Sequence, residues 1–525
     1  MSADEIRVAV LGGEIARRSW LGLSRPVLLT WVGSIAAALA IYLLGGGATW
    51  TIIAALALLI GVFAATMEWR DKPSLAARGA HRLRTWIRRR RGEHIYRNPA
   101  DPAYGDPAWD PGWTIPLPLG AAAPLQVEGT GLDDMFIVRT ANPGERVYFS
   151  VILAVEGVAD GLRGNAAYAA TSTAFGNFLA QMARTSSHVR GLQLLHRSIP
   201  HDMTPHIHWA HGRVAQLADT RLTPAVESYG ALIDVIAPLA EEHRTFVVLR
   251  IPQTETFMAD TGRVARTKGA TTHGAIAQVI RDETERATRL LAAAGMGRVD
   301  VLGEHRACAV IRSFLDPRYK LDRHRDATWD TCWPSYVGGD DSVAVGADGR
   351  WRTRVGLIRP RAIEPVPLGP LWLAPLLTGV EADPGDEDTA PMPTIRTLSV
   401  RIDFVPAHRA RAAARGDFTA DQARRSKEHK QGKLDDGSTE VLATASERRR
   451  HDLMPGSGHH GAVYTASIAV TGRDPDDLDR ACLRVAEAAN DSAITEIDWA
   501  DSDHDVAVFT TLPLARGLAA TPDTR

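Results

Sequence analysis

Two runs near the N-terminus, Val27 to Leu44 and Ala48 to Met67, contain no charged residue. As helices rising ~1.5 Å per residue, both approach the ~30 Å hydrocarbon thickness of a bilayer. Soluble helices rarely stay apolar all the way round, so these runs predict a transmembrane hairpin. Gly45, Gly46 and Gly47 lie between them and supply a tight turn. Trp31 and Tyr42 fall towards the ends of the first run, and Trp50 and Trp69 flank the second, where an interfacial aromatic belt is expected. A cleaved signal peptide would have a shorter apolar core and a small-residue cleavage site, whereas here a second apolar run follows at once.

Flanking charge sets the expected orientation. Arg17, Arg18 and Arg25 precede the hairpin. Arg70, Lys72, Arg78, Arg82, Arg84, Arg88, Arg89, Arg90 and Arg91 follow it, and the connection around Gly46 is uncharged. The positive-inside rule places both termini in the cytoplasm and the chain in the cell membrane. Leu75 to Arg91 reads as a helix with Leu75, Leu83, Trp86 and Ile87 among arginines. Arg82, Arg84, Arg88, Arg89, Arg90 and Arg91 are therefore the candidate contacts to an anionic lipid surface, at ~1 kcal/mol per basic residue. A solvated flank that halts membrane transfer is the plainer alternative.

The 525 residues exceed one core and suggest two or three domains. A net charge of -2 excludes a global field suited to nucleic acid. Cys308, Cys332 and Cys482 are far apart with no CxxC pair, as in a reducing compartment with buried structural thiols.

Asn98 to Pro124 is dense in Pro, Gly and Asp and reads as a connector. Strand patterns follow at Val147 to Val155, Leu192 to Ser198, Thr245 to Ile251 and Val299 to Leu302. Helical patterns occupy Asn165 to Arg184, His206 to Leu217, Ala225 to Glu242, Ile276 to Ala294 and Arg306 to Leu315. Asp316 to Gly349 reads as loop. A second block has strands at Trp351 to Ile358, Thr397 to Val405 and Val463 to Thr471, then two short final strands. Its helices are expected at Leu371 to Leu377, Thr419 to Arg450 and Asp476 to Asn490. The expected fold class is membrane-anchored α+β, a two-helix transmembrane hairpin followed by two α/β, ferredoxin-like, cytoplasmic units. The boundaries are 1–26 for a cytoplasmic N-terminus, 27–67 for the hairpin, 68–124 for the basic segment and connector, and 125–340 and 341–525 for the two units.

Few catalytic motifs bear weight. Gly432 and Lys433 are the nearest approach to a Walker A loop, but the first glycine is missing and Leu434 stands where Ser or Thr is needed. HExxH and GxSxG are absent. His201, His206, His208 and His211 cluster, and His208 with His211 at i, i+3 can share a metal. A polar helix start is the blander reading. His459 and His460 read as loop. The run Arg409, Arg411, Arg415, Arg424, Arg425, Lys427, Lys430 and Arg448 to Arg450 is diluted by Asp417, Asp421, Glu428, Asp435 and Glu447, and reads as a solvated helical arm. No catalytic, cofactor or metal residue is assigned.

Several segments carry a resemblance: the hairpin with its arginine run, Trp351 to Val355, Pro365 to Gly369, Leu371 to Leu377, Leu398 to Pro406, and Asp474 to Val485. On these the chain resembles membrane proteins of actinobacterial integrative conjugative elements. In that family a PrgI-like two-helix hairpin is joined to a domain similar to the N-terminal, non-motor region of the type IV secretion or conjugation ATPase. The resemblance implies a non-enzymatic scaffold of a DNA-transfer apparatus, with a separately encoded ATPase, other membrane subunits and anionic lipid as partners. Direct nucleic-acid contact and self-association into a homo-oligomer stay open. A type VII secretion membrane subunit (EccE-like) is one alternative, and a metal-dependent enzyme using His206, His208 and His211 is another.

Overall fold

The computed structural model describes residues 11, 25–46, 48–66, 74–98, 115–127, 134–157, 164–215, 220–323, 327–346, 349–385, 390–431 and 438–517. The chain divides into a small unit, Glu14–His94, and a large one, Met1–Gly13 with Ile95–Arg525. Arg17, Arg18, Gly47, Met67, Trp69, Arg70, Lys72, most of the Asn98 to Pro124 connector, Gly432, Lys433, Leu434 and Asp435 lie outside the described residues.

Among its described residues the small unit has three helices: α1 (Arg25–Leu44), α2 (Thr49–Thr66) and α3 (Leu75–Arg90). Gly46 turns the chain between α1 and α2 at φ +66°, a conformation that costs glycine little. The Trp31 indole Nε1 donates to Thr66 Oγ1 at 3.1 Å, and its ring meets Phe63 edge-on at 5.7 Å. These contacts hold the ends of an antiparallel pair together. By length and composition one described helix, Thr49–Thr66, is apolar enough to cross a membrane, with mean hydropathy 2.1. In its neighbour α1 the apolar stretch among the described residues is Leu29–Leu44. Of the two spans expected from the sequence, the described residues show one as a candidate, Thr49–Thr66, packed beside the apolar helix α1.

The large unit is α+β, built on one extended antiparallel sheet. Its first half contains β1 (Ile95–Tyr96), β2 (Ala122–Pro124), β3 (Ile137–Thr140), β4 (Tyr148–Val155), α4 (Asn165–Met182) and β5 (Gly191–Pro200). Next come α5 (Thr204–Val214), α6 (Thr223–Ile236), β6 (Glu241–Pro252), α7 (Glu255–Lys268), α8 (Thr272–Ala293), β7 (Val299–Val301) and α9 (Glu304–Leu315). The second half contains β8 (Tyr336–Gly338), β9 (Val343–Val345), β10 (Trp351–Ile358), α10 (Ala374–Thr378) and β11 (Ile395–Val405). It ends with α11 (Ala407–Gln431), α12 (Ser438–Asp452), β12 (Gly461–Gly472), α13 (Pro475–Asp491), β13 (Asp498–Trp499) and α14 (His504–Ala507).

Strand order is β1-β8-β9-β10-β12-β11-β5-β6-β4-β3-β2, with β13 on β10 and β7 on β4. The core of the first half, β5-β6-β4-β7, and that of the second, β11-β12-β10-β13, have the same order. Each follows a β-α-β-β-α-β path, and each inserts a helical pair between its second and third strands. The halves meet where β5 pairs with β11, from Gly191 opposite Asp403 to Ser198 opposite Arg396. The two blocks expected from sequence are thus halves of one continuous sheet. The expected 340/341 boundary falls in the β8–β9 hairpin, inside the region read as loop.

Apolar alternation assigns the two faces. On β4, Ile152 joins the cluster under α9, with Phe246, Phe314, Trp333 and Phe509, while Val151 and Leu153 join the cluster under α4 and α8, with Phe178 and Ile280. Burial on both faces explains the nearly continuous apolar run of this strand. In the second half α13 packs Leu478, Ala481 and Val485 against Ile468 and Val470 of β12. Gly356 on β10 is required by close approach, since a Cβ there would collide with Ile497 and press on Trp499 of β13.

Candidate functional site

Helix α3 begins at Ser74, whose Oγ accepts from the Ala77 N–H at 3.3 Å. It ends with Arg88, Arg89 and Arg90, whose charges suit the helix C-terminus. At about 100° per residue, Leu75, Leu83, Trp86 and Ile87 fall within an arc of about 120°, and all four are exposed. By the same rotation Arg78, Arg84 and Arg88 fall on the opposite side of the helix, and Arg89 and Arg91 lie between the two faces. Arg82 and Arg90 lie along the apolar arc, and the Arg90 guanidinium sits 4.8 Å over the Trp86 ring. Burial, then Arg89 and Arg88, push the His94 pKa down. The helix has the form of an amphipathic segment with a cationic face.

The histidines lie on the helical pair between β5 and β6. His206, His208 and His211 are on α5, and His206 Nε2 is 2.7 Å from Tyr229 Oη on α6. His201 Nδ1 is 3.5 Å from Glu242 Oε2, and Asp202 is engaged by Arg323. Among the described residues, no group of three or more His, Cys, Asp or Glu is placed to hold a metal ion. This pair also exposes Trp209, Leu232, Val235 and Ile236, as does Leu239 just beyond it.

The charged run forms α11 and α12, which pack as an antiparallel arm between β11 and β12. Much of its charge is used within the arm. Arg449 pairs with buried Asp417, Arg425 with Glu440 at 3.5 Å, and Arg450 lies 4.6 Å over the Phe418 ring. Arg411 Nε donates to Leu453 O at 3.1 Å. The side chains of Arg424, Lys427 and Glu428 lie outside the described residues.

Where this arm approaches α4 and the 367–372 turn, the large unit holds a cavity of about 1070 Å³. Leu368, Trp372, Ala410, Ala414, Val441 and Leu453 line its apolar part. Arg409, Arg448, Arg449, His459 and His460 line its basic part, with Glu440 and Asp452 as acidic members. The Tyr464 hydroxyl donates to Leu11 O at 2.7 Å, so Leu11 also borders it. Burial lowers the His460 pKa, and so do Arg184, Arg411 and His459. The sequence reading missed this groove. Its one local signal was the Pro365 to Gly369 corner, which supplies Pro367, Leu368 and Gly369 to the wall.

All three cysteines are buried and unpaired. Burial raises the Cys482 pKa to about 12, and burial together with Cys308 raises that of Cys332. Such thiols are poor nucleophiles. Compared with known proteins, the chain matches no family model and no curated sequence.

Proposed function

We propose that the chain is a non-enzymatic membrane scaffold of a conjugative, type IV-like DNA-transfer apparatus. In this reading α1 and α2 form a transmembrane hairpin with both termini cytoplasmic, and the large unit docks a separately encoded ATPase. The observation that carries the proposal is α3, an amphipathic, arginine-bearing helix that follows an apolar helix pair with little separation in sequence. A basic amphipathic segment beside a membrane span is held at the cytoplasmic leaflet by anionic lipid. The repeated β-α-β-β-α-β halves support a ferredoxin-like, non-motor platform similar to the N-terminal region of a conjugation ATPase.

Two experiments test the proposal. A reporter active only in the cytoplasm is expected to work when fused after Arg91, and a periplasmic-type reporter there to stay silent. Purification in mild detergent is expected to retain a conjugation-type ATPase. A multi-domain type VII ATPase in its place would move the chain to that system.

A further inference from the structure

We propose that the groove walled by α4, α11, α12 and the 367–372 turn docks an acidic amphipathic helix of a partner protein. The proposal depends on the scaffold reading only for the side of the membrane on which that partner is met. The groove pairs an apolar floor, including Leu368, Trp372, Ala410, Ala414 and Leu453, with a border that carries Arg409 and Arg448; Arg449 also lines it, its charge taken up by Asp417. Arg184 and Arg411 stand close enough to act on His460, so the positive field extends past the lining itself. Of the two acidic lining residues, Glu440 is engaged by Arg425. An occupant with apolar side chains on one face and carboxylates on the other satisfies both surfaces.

Size selects a short segment. A helix about 10 Å across rising ~1.5 Å per residue fills roughly 120 Å³ per residue, so the space corresponds to about nine residues. Nucleic acid fits less well, because Trp372 is the one tryptophan, tyrosine or phenylalanine among the described lining residues and offers no series of rings on which successive bases could stack.

The test uses the full chain in detergent and a labelled synthetic helix of about eighteen residues, long enough to be helical, with Leu on one face and Glu on the other. A counterpart with Lys in place of Glu serves as the control. The Glu helix is expected to bind at least about tenfold more tightly than the Lys helix. Arg409→Glu with Arg448→Glu is expected to reverse that preference, which also shows that the variant is folded. Ala413→Trp, at an exposed lining position, is expected to abolish binding of the Glu helix.

Equal binding of the two helices overturns the proposal. So does single-stranded DNA of about twenty nucleotides binding more tightly than the Glu helix with the same arginine dependence. Competition by a peptide of residues 1–10, with tighter probe binding after their deletion, assigns the groove to the chain's own N-terminal segment and also overturns it. These readouts need no membrane orientation, so a failed topology test and a failed groove test are distinguishable.

Discussion

The Arg197 guanidinium lies 4.7 Å from the centre of the Phe314 ring, and its Nη2 donates to Ser313 O at 2.8 Å. Arg197 stands on β5, and Ser313 and Phe314 close the C-terminal turn of α9. Its Nη1 donates to Thr397 Oγ1 on β11 at 2.8 Å, so one side chain joins α9 to both halves of the sheet. Burial, then Arg244, push its pKa down to about 9. The charge is held by carbonyls, a hydroxyl and a ring face, which suits a helix C-terminus.

Arg197→Ala is expected to cost about 3 kcal/mol, because buried carbonyls lose their donor and a cavity opens. Arg197→Met keeps the volume and removes the buried charge, and is expected to cost about half as much. Urea unfolding of the detergent-solubilised chain measures both. Equal costs would mean that the hydrogen bonds, not the volume, hold α9.

Gln193 closes the other side of the seam. Its Nε2 donates to Ser399 Oγ and Leu512 O at 2.9 Å and to Thr510 O at 3.0 Å, and its Oε1 accepts from the Ala515 N–H at 2.7 Å. Gln193→Leu strands these buried groups at a cost of about 2–4 kcal/mol. Amide exchange at 512–515 is expected to accelerate more than exchange in β10. An unchanged exchange pattern would remove Gln193 from the role of clamp.

The His196 ring stacks on His243 with centres 5.3 Å apart. Burial, then His243 and Arg396, lower its pKa from 6.5 to about 4. Glu241, the acid in this group, is bonded to Arg396 and lies 3.5 Å from His243. Because the folded pKa is below the unfolded one, the unfolded chain binds the extra proton between these values. Stability therefore falls as pH drops from 6.5 towards 4. At ~1.36 kcal/mol per pH unit the loss is roughly 3 kcal/mol at most. Carboxylates titrate in the same window, so the measurement is the difference between the native chain and His196→Gln. A His196→Gln profile parallel to the native one removes His196 as its source.

The α5–α6 pair gives the opposite expectation. Leu232 is 52% exposed and Val235 67%, and α6 buries no residue. Leu232→Glu with Val235→Glu is expected to change stability by less than about 0.5 kcal/mol. A large drop in thermal midpoint would mean that this face is covered in the purified protein.

Legibility in the sequence followed the range of the interactions. Trp351 to Ile358 is the same strand in sequence and structure, and Val147 to Val155 differs from β4 by one residue, because apolar patterning is local. The helix expected from Ala225 to Glu242 ends at Ile236, since Pro238 cannot continue it, and β6 begins at Glu241. Strands of three residues such as β8 and β9 are too short to show a period. Of the two final strands expected, one is β13, and a helical segment from His504 follows it. Helix α7 escaped notice, and Leu371 to Leu377 shortened to Ala374–Thr378. The seam and the groove were invisible for a different reason. Gln193 and Arg197 look like solvent-facing positions until residues 510–515 and the end of α9, more than a hundred residues on, cover them. The groove likewise needs α4, the 367–372 turn and the α11–α12 arm together.

The arginines of α3 give a direct test of membrane orientation. Since Cys308, Cys332 and Cys482 are all buried, a new cysteine at Glu93 is the one that a membrane-impermeant maleimide should label in the folded chain. In the native background Glu93→Cys is expected to be protected in intact cells and labelled in inverted vesicles. Changing Arg88, Arg89, Arg90 and Arg91 to Glu makes the retained flank acidic, and labelling in intact cells is expected to rise. Attraction to anionic vesicles should fall by at least about 4 kcal/mol, at ~1 kcal/mol for each positive charge removed and with repulsion by the added carboxylates on top, and less at high salt. Changing Arg84 alone should reduce vesicle binding by about 1 kcal/mol and leave orientation intact. Labelling of Glu93→Cys in intact cells without any arginine change would place α3 on the outer side, and the proposed cytoplasmic docking role would fall with it.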